Sequence, residues 1–212
     1  MALKPNLNPG PALLSVPDEA GYINWHDLFG NAHRVEMEIG SGKGTFLLAA
    51  ATTFPDRNFV GIEWAKAYCD FAADRLRRHE LRNARMVHAD AAWWIRAHVP
   101  DQSISALHVY FPDPWPKARH HKRRIIQTPL LVQVTRILIS GGILRIVTDH
   151  AEYFEHIRAV IGDYHGMTVI PFESPLPTSP GLLVGTNFEK KYILENRNFN
   201  SIALIKPKPE AS

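Results

Sequence analysis

Five acids each close an apolar run in this chain, and that repetition constrains the fold more than any other feature. Glu38 lies at the end of 34–39, Glu63 ends 59–62, Asp90 follows 84–88, Asp113 follows 104–111, and Asp149 follows 143–147. Between and after these runs lie segments with helical spacing: 46–53, 65–79, the stretch around Trp93 and Trp94, 125–139 and 153–161. Alternating strands and helices predict a parallel sheet covered on both faces. Short runs without polar interruption suit strands buried on both sides. Each acid then sits at or just beyond the C-terminal end of its strand, the edge where open α/β sheets bind ligands. Caps and loop polarity account for two or three such acids; five in register predict a site.

The first run enters Glu38-Ile39-Gly40-Ser41-Gly42-Lys43-Gly44-Thr45, and a helix follows. Glycines let a backbone turn tightly and approach a ligand closely. Three readings compete. A P-loop needs glycine where Glu38 stands and Lys-Ser/Thr where Lys43-Gly44 stands. A dinucleotide fingerprint needs GxGxxG, and the spacing here is GxGxG. The third reading is an S-adenosylmethionine loop, in which an acid precedes GxGxG. Glu63, about twenty residues beyond the glycines, is placed to accept from ribose hydroxyls; it also suits a helix N-terminus. Asp90 caps the next helix, accepts from an adenine amino group, or does both. Trp93 and Trp94 read as core.

After the fourth strand comes Pro112-Asp113-Pro114-Trp115-Pro116-Lys117-Ala118-Arg119-His120-His121-Lys122-Arg123-Arg124. Proline fixes φ and cannot donate to a ladder, so this is a rigid loop. The formal charge is +3, and five cations crowd into 117–124 without an acid, so the remainder of the chain is net negative. The basicity is local and fits a directed contact with phosphates. Cys69 is the single cysteine, which leaves no disulfide framework or CxxC metal site, and no metal is expected. No run approaches the ~18 apolar residues of a membrane span, and the first residues lack a signal pattern. A cytoplasmic protein is expected, with no membrane contact.

Residues 1–33 read as a Pro/Gly-rich arm held by Trp25, Leu28 and Phe29, and 34–206 as one domain. Gly141-Gly142 is expected to stop the helix 125–139. Strands at 167–172 and 199–205 complete the sheet, and the tail from Lys206 is expected to fray.

The glycine loop, the block 111–124, Thr148-Asp149 and Thr186-Asn187-Phe188-Glu189 together resemble the bacterial tRNA (guanine-N7)-methyltransferase family, over the chain from about Trp25 to the last strand. The glycine loop is shared by many methyltransferases; the Asp-Pro-Trp-Pro-Lys-x-Arg-His-x-Lys-Arg-Arg block is specific. The resemblance implies a Rossmann-like class I α/β fold, with a mostly parallel seven-stranded sheet, helices on both faces and an antiparallel last strand. It implies S-adenosylmethionine as cofactor, tRNA as partner, and methylation of N7 of guanine 46 in the variable loop. It places Glu38, Gly40, Gly42, Glu63, Asp90 and Asp113 at the cofactor, with Asp113 also catalytic. Lys117, Asp149, Thr186, Asn187, Phe188 and Glu189 fall on substrate-binding positions. Arg119, His120, His121, Lys122, Arg123 and Arg124 fall on the RNA-contacting block. No obligatory protein partner is inferred. Two rival classes use only part of these features: an oxidoreductase has no use for the basic block, and an RNA-binding module has none for the five acids.

Overall fold

The computed structural model describes residues 7–15, 19–177, 182–195 and 197–208, without the side chains at 187, 188 and 190. In chain order the elements are β1 (Leu13–Leu14), α1 (Trp25–Phe29), β2 (Arg34–Ile39), α2 (Thr45–Thr53), β3 (Arg57–Glu63), α3 (Lys66–Arg78), β4 (Ala84–His88) and α4 (Ala91–His98). There follow β5 (Ile104–Tyr110), α5 (Thr128–Ile137), β6 (Leu138–Thr148), α6 (Ala151–Gly162), β7 (Thr168–Ile170), α7 (Asn187–Leu194) and β8 (Asn200–Ile205). They form one sheet in the order β1-β4-β3-β2-β5-β6-β8-β7. All pairs are parallel except those of β8, which runs antiparallel to both β6 and β7.

One row of the register shows how the sheet positions a site. Val87, Ile62, Ile39, Val109, Ile146 and Ile202 pair in sequence across six strands. This row is wholly apolar. One residue beyond it stand Gly40, Glu63 and His88, and two residues beyond it Thr148, so the strand ends gather just past the buried row. Alternation sends Met37 and Ile39 of β2, and Leu107 and Val109 of β5, into the layer shared with Trp94, Leu131, Val134 and Tyr153. Tyr110 enters the opposite layer with Phe46, Leu47, Cys69, Leu76 and Val147. Each large apolar side chain buried in this way contributes about 1.5–3 kcal/mol.

The opposite layer also carries a buried polar strip. Glu36 accepts from Arg57 Nη1 at 2.8 Å and pairs with His108 Nε2 at 2.9 Å, while His108 Nδ1 meets the Tyr110 hydroxyl at 2.7 Å. Burial works to raise the Glu36 carboxyl, but His108 and Arg57 outweigh it and the group is held low.

The structure differs from the sequence expectation in the strand count, the end of α5, the glycine pair and the start of the tail, and β7 is shorter than the 167–172 expected. The sheet has eight strands and not seven, because Leu13 and Leu14 pair with Met86 and Val87 and add an edge strand from the arm. The arm is further tied where Arg77 Nε donates to the Asn8 carbonyl at 2.6 Å, and where Trp25 packs tilted on Trp94 at 6.5 Å. The helix expected over 125–139 ends at Ile137, and β6 starts at once and runs through both glycines. Gly141, at φ 78°, lies in a register shift between β5 and β6, so the glycine pair makes a bulge and not a helix stop. Lys206 is not frayed: its amide donates to the Gly142 carbonyl and its Nζ to the Leu138 carbonyl. Among the described residues no helix is long and apolar enough to cross a membrane.

Candidate active site

The glycine loop leaves β2 and folds back over β3. The amides of Gly40 and Ser41 both donate to the Ile62 carbonyl, at 2.8 and 3.2 Å. Gly40, Gly42 and Gly44 all take left-handed φ, between 52° and 77°. Gly44 is doubly constrained, since a Cβ there would stand 2.9 Å from that of Ala72. Glu63 fastens the loop: one carboxylate oxygen accepts from the Gly42 amide and the other from the Ala65 amide, each at 2.8 Å. The acid expected at the ribose therefore also ties the loop to the start of α3.

Between this loop and α7 lies a cavity of about 260 Å³, bounded by Glu38, Gly40, Lys43, Tyr110, Thr186 and Lys191 among others. Glu38 is buried in it, and its Oε2 has no hydrogen-bond partner among the described residues. Burial pushes the Glu38 carboxyl up to about 8, and the nearby charge of Glu63 adds to this while Ser41 opposes it. An unpartnered buried carboxylate in a ligand-sized cavity calls for a cation. S-adenosylmethionine, with its sulfonium and ammonium groups, fits that demand.

Asp90 caps α4, accepting from the Trp93 amide at 2.8 Å. Trp94 is core as expected, but Trp93 is exposed. Trp64, directly after Glu63, is 73% exposed at the same edge, and the His88 ring meets its carbonyl at 3.0 Å. Tyr68, Tyr110 and Lys191 also line the cavity, a role the sequence reading assigned to none of them.

The proline loop begins at Phe111, whose amide continues the ladder to the Val147 carbonyl at 2.7 Å. Phe111 then takes φ 52° and Trp115 φ 43°, bracketing Pro112-Asp113-Pro114. Phe111 packs edge-on against Tyr192 and Phe199, at 5.6 Å each. Asp113 is exposed. A 3-10 turn over Ala118–Arg123 carries the basic block. Lys117, Arg119, Lys122 and Arg123 are exposed, and Arg123 lies over the Trp115 ring at 4.9 Å with His120 edge-on to the same ring at 5.8 Å. His121 is half-buried, with Nε2 unpartnered among the described residues. Arg124 corrects the sequence reading. It is 2% exposed and cannot lie on a phosphate-facing surface with its neighbours.

Just beyond the end of β6, Asp149 accepts from Arg197 Nη1 at 2.6 Å, and Arg197 also pairs with Glu195 and covers the Tyr192 ring at 4.3 Å. Burial, then the charge of Asp149, raise the Tyr192 hydroxyl, with Asp113 adding to the shift, so Tyr192 lies within the field of both acids. Thr186 caps α7, its hydroxyl accepting from the Glu189 amide at 3.1 Å. The Glu189 carboxylate is buried and accepts from the amides of Leu183, Val184 and Gly185. It shapes the approach to α7 from within. Asn187 and Phe188 start α7, and their side chains lie outside the described residues.

A doubly wound sheet with a glycine loop, strand-end acids and an antiparallel final strand defines the architecture of class I methyltransferases. Solved structures share it: a 30S ribosomal A1408 methyltransferase from an uncultured bacterium aligns with TM-score 0.56 at 16% identity over 85% of this chain and 91% of that one. A SAM-dependent methyltransferase from Aquifex aeolicus aligns with TM-score 0.55 at 12% identity, over 85% and 86%. The family model "Putative methyltransferase" matches residues 32–201. The tRNA (guanine-N(7)-)-methyltransferase of Geobacillus thermodenitrificans is 36% identical over 91% of this chain and 89% of its own, and that of Rhodopirellula baltica 36% over 86% and 72%. The chain belongs to the tRNA (guanine-N7)-methyltransferase family.

Proposed function

We propose that this chain transfers the methyl group of S-adenosylmethionine to N7 of guanine 46 in the tRNA variable loop, in the cytoplasm, with residues 34–206 as the catalytic unit and the arm as its edge. The observation that carries the reading is one sheet edge that holds a buried, unpartnered Glu38 in a cavity and, on the next strand, a stiffened Asp113 leading into an exposed cationic turn.

S-adenosylmethionine supplies, when bound, an electrophilic methyl group on a cationic sulfur. Glu38 takes its cationic amino-acid end. Glu63 accepts from the ribose hydroxyls with the lone pairs left after Gly42 and Ala65. Asp90 has one oxygen engaged by Trp93 and offers the other to the adenine amino group. Guanine N7 is a neutral acceptor with an in-plane lone pair, and no proton leaves it, so the site needs no strong base. Alignment supplies much of the rate. Asp113, held stiff by prolines on both sides, places a carboxylate where positive charge moves onto the base. Asp149 and Thr186 hold the guanine, Asp149 by exchanging Arg197 for the base, while Glu189 sets the backbone around Thr186. Lys117 joins Asp149 and Thr186 on the guanine side, while Arg119, His120, Lys122 and Arg123 meet phosphates, which position the RNA without reading it.

The test is transfer of labelled methyl to unmodified tRNA, with the product mapped by nuclease digestion. The label is expected as 7-methylguanosine at position 46 and is expected to vanish when that guanine is replaced by adenine. Label at another nucleotide, or none, overturns the reading.

A further inference from the structure

The loop that carries Asp113 has a fastening problem. Pro112, Pro114 and Pro116 have no amide hydrogen. Prolines make the segment stiff, but they remove the donors by which a backbone is usually tied to its scaffold. A stiff piece that is not tied can still swing as a unit. Such a segment must be held by its carbonyls, and carbonyls need donors from elsewhere.

Arg124 supplies one. Its Nε donates to the Pro114 carbonyl at 2.9 Å, one residue after Asp113. Its Nη2 donates to Glu152 on α6 at 2.6 Å, and the guanidinium lies over the Tyr153 ring at 4.9 Å. The Tyr153 hydroxyl in turn accepts from the Ile126 amide at 3.2 Å. One planar fork thus connects the loop, the end of the basic turn and α6. A lysine has a single nitrogen and no fork, so it cannot span these partners.

Stability does not account for this arginine. A buried guanidinium loses its hydration. Its partner Glu152 has a side chain 54% exposed, so solvent screens the pair. Nη1 is buried without a partner among the described residues, a further cost. An apolar side chain of similar length would fill the same space, and what it would lack is the donor to the Pro114 carbonyl.

We infer that Arg124 is a positioning residue that ties the Pro114 carbonyl to α6 and so aims Asp113, and that it takes no part in phosphate binding. The basic block is then divided: Arg119, Lys122 and Arg123 face outward to RNA, and Arg124 faces inward to the catalytic loop. This inference rests on the function proposed above.

The experiment compares Arg124→Met, Arg124→Lys and Arg123→Met with the wild-type chain. Arg124→Met is expected to keep its unfolding midpoint, its S-adenosylmethionine affinity, its tRNA affinity and the salt slope of that affinity. Its kcat on saturating tRNA is expected to fall on the order of 10- to 100-fold, the scale of a small misplacement of a reacting group. Arg124→Lys is expected to recover little of it. Arg123→Met is expected to lose tRNA affinity and to flatten the salt slope. Amide exchange at Asp113 and Trp115 is expected to quicken in Arg124→Met, a readout independent of turnover. The inference is overturned if Arg124→Met retains wild-type kcat, or if it loses tRNA affinity and salt slope as Arg123→Met does. Should Arg124→Met not fold, Glu152→Gln takes its place: lowered kcat at unchanged KM supports the clamp, and unaltered kcat overturns it. If wild-type protein itself leaves tRNA guanine unmethylated, the functional reading has failed, while the exchange measurement still decides the clamp.

Discussion

Replacing Glu38 by glutamine should make the empty protein more stable near neutral pH while weakening its hold on the cofactor. The folded carboxyl stands at about 8 against an ordinary 4.5, because it is buried without a partner for Oε2. Between those values the native state keeps a proton that the unfolded chain gives up. Stability must therefore fall as pH rises through that window, at ~1.4 kcal/mol per unit where the difference is complete. Integrated from about pH 5 to about pH 7, the wild-type chain loses roughly 2–3 kcal/mol through this group alone. Glutamine has the same shape and no titration. The assay is urea unfolding of both chains across that range, with the difference taken at each pH so that other titrating groups cancel. The difference should grow in favour of the variant by roughly 2–3 kcal/mol across that span. A difference that stays constant with pH would show that Glu38 ionises normally and that the burial argument is wrong. Cofactor binding is the counterpart: wild-type affinity should rise over the same interval, with a proton released on binding, and the variant should bind weakly with no pH dependence.

Asp113→Ala should abolish most methyl transfer in single-turnover assays while S-adenosylmethionine still binds; turnover near wild type would remove Asp113 from the mechanism. Glu63→Ala should weaken cofactor binding by ~2 kcal/mol in a calorimetric titration, through lost acceptors and a loosened Gly42. Lys122 and Arg123 replaced together by alanine should lower the salt slope of tRNA binding by about two counterions' worth, read from affinities across a salt series. Gly44→Ala should cost about 1–2 kcal/mol or more in urea unfolding, because the residue has φ 67° and its Cβ would meet Ala72.

The strands were legible because each is a short apolar run with a polar residue at its exit. Ala84–His88 was placed with its observed bounds, and Glu38, Glu63 and Asp90 fell at strand ends for the same reason. Legibility ended where a residue's direction depends on geometry that composition does not carry. Arg123 and Arg124 are the same residue type side by side, and only the path of the turn sends one out and the other in. Trp93 and Trp94 are a similar pair, separated by the ~100° that successive helical residues subtend. Leu13 and Leu14 were too short a run to announce a strand without Met86 and Val87 beside them. Gly141-Gly142 carried a real signal of left-handed backbone, but a bulge and a helix stop ask for the same residue. Glu189 was noticed for its position, yet its three amide partners come from a loop whose path no periodicity describes.

Phe111 and Trp115 carry a consequence for anyone trying to harden this enzyme. Two bulky residues in left-handed backbone are each disfavoured by about 1–3 kcal/mol, and they bracket Asp113, proposed above as the carboxylate at the transfer. Glycine there would relax the backbone but would also remove the contacts of Phe111 with Tyr192 and Phe199 and of Trp115 with Arg123 and His120, so heat resistance is not expected to rise at either position. Directed evolution of this scaffold should keep both positions under selection for activity and look for added stability elsewhere in the molecule.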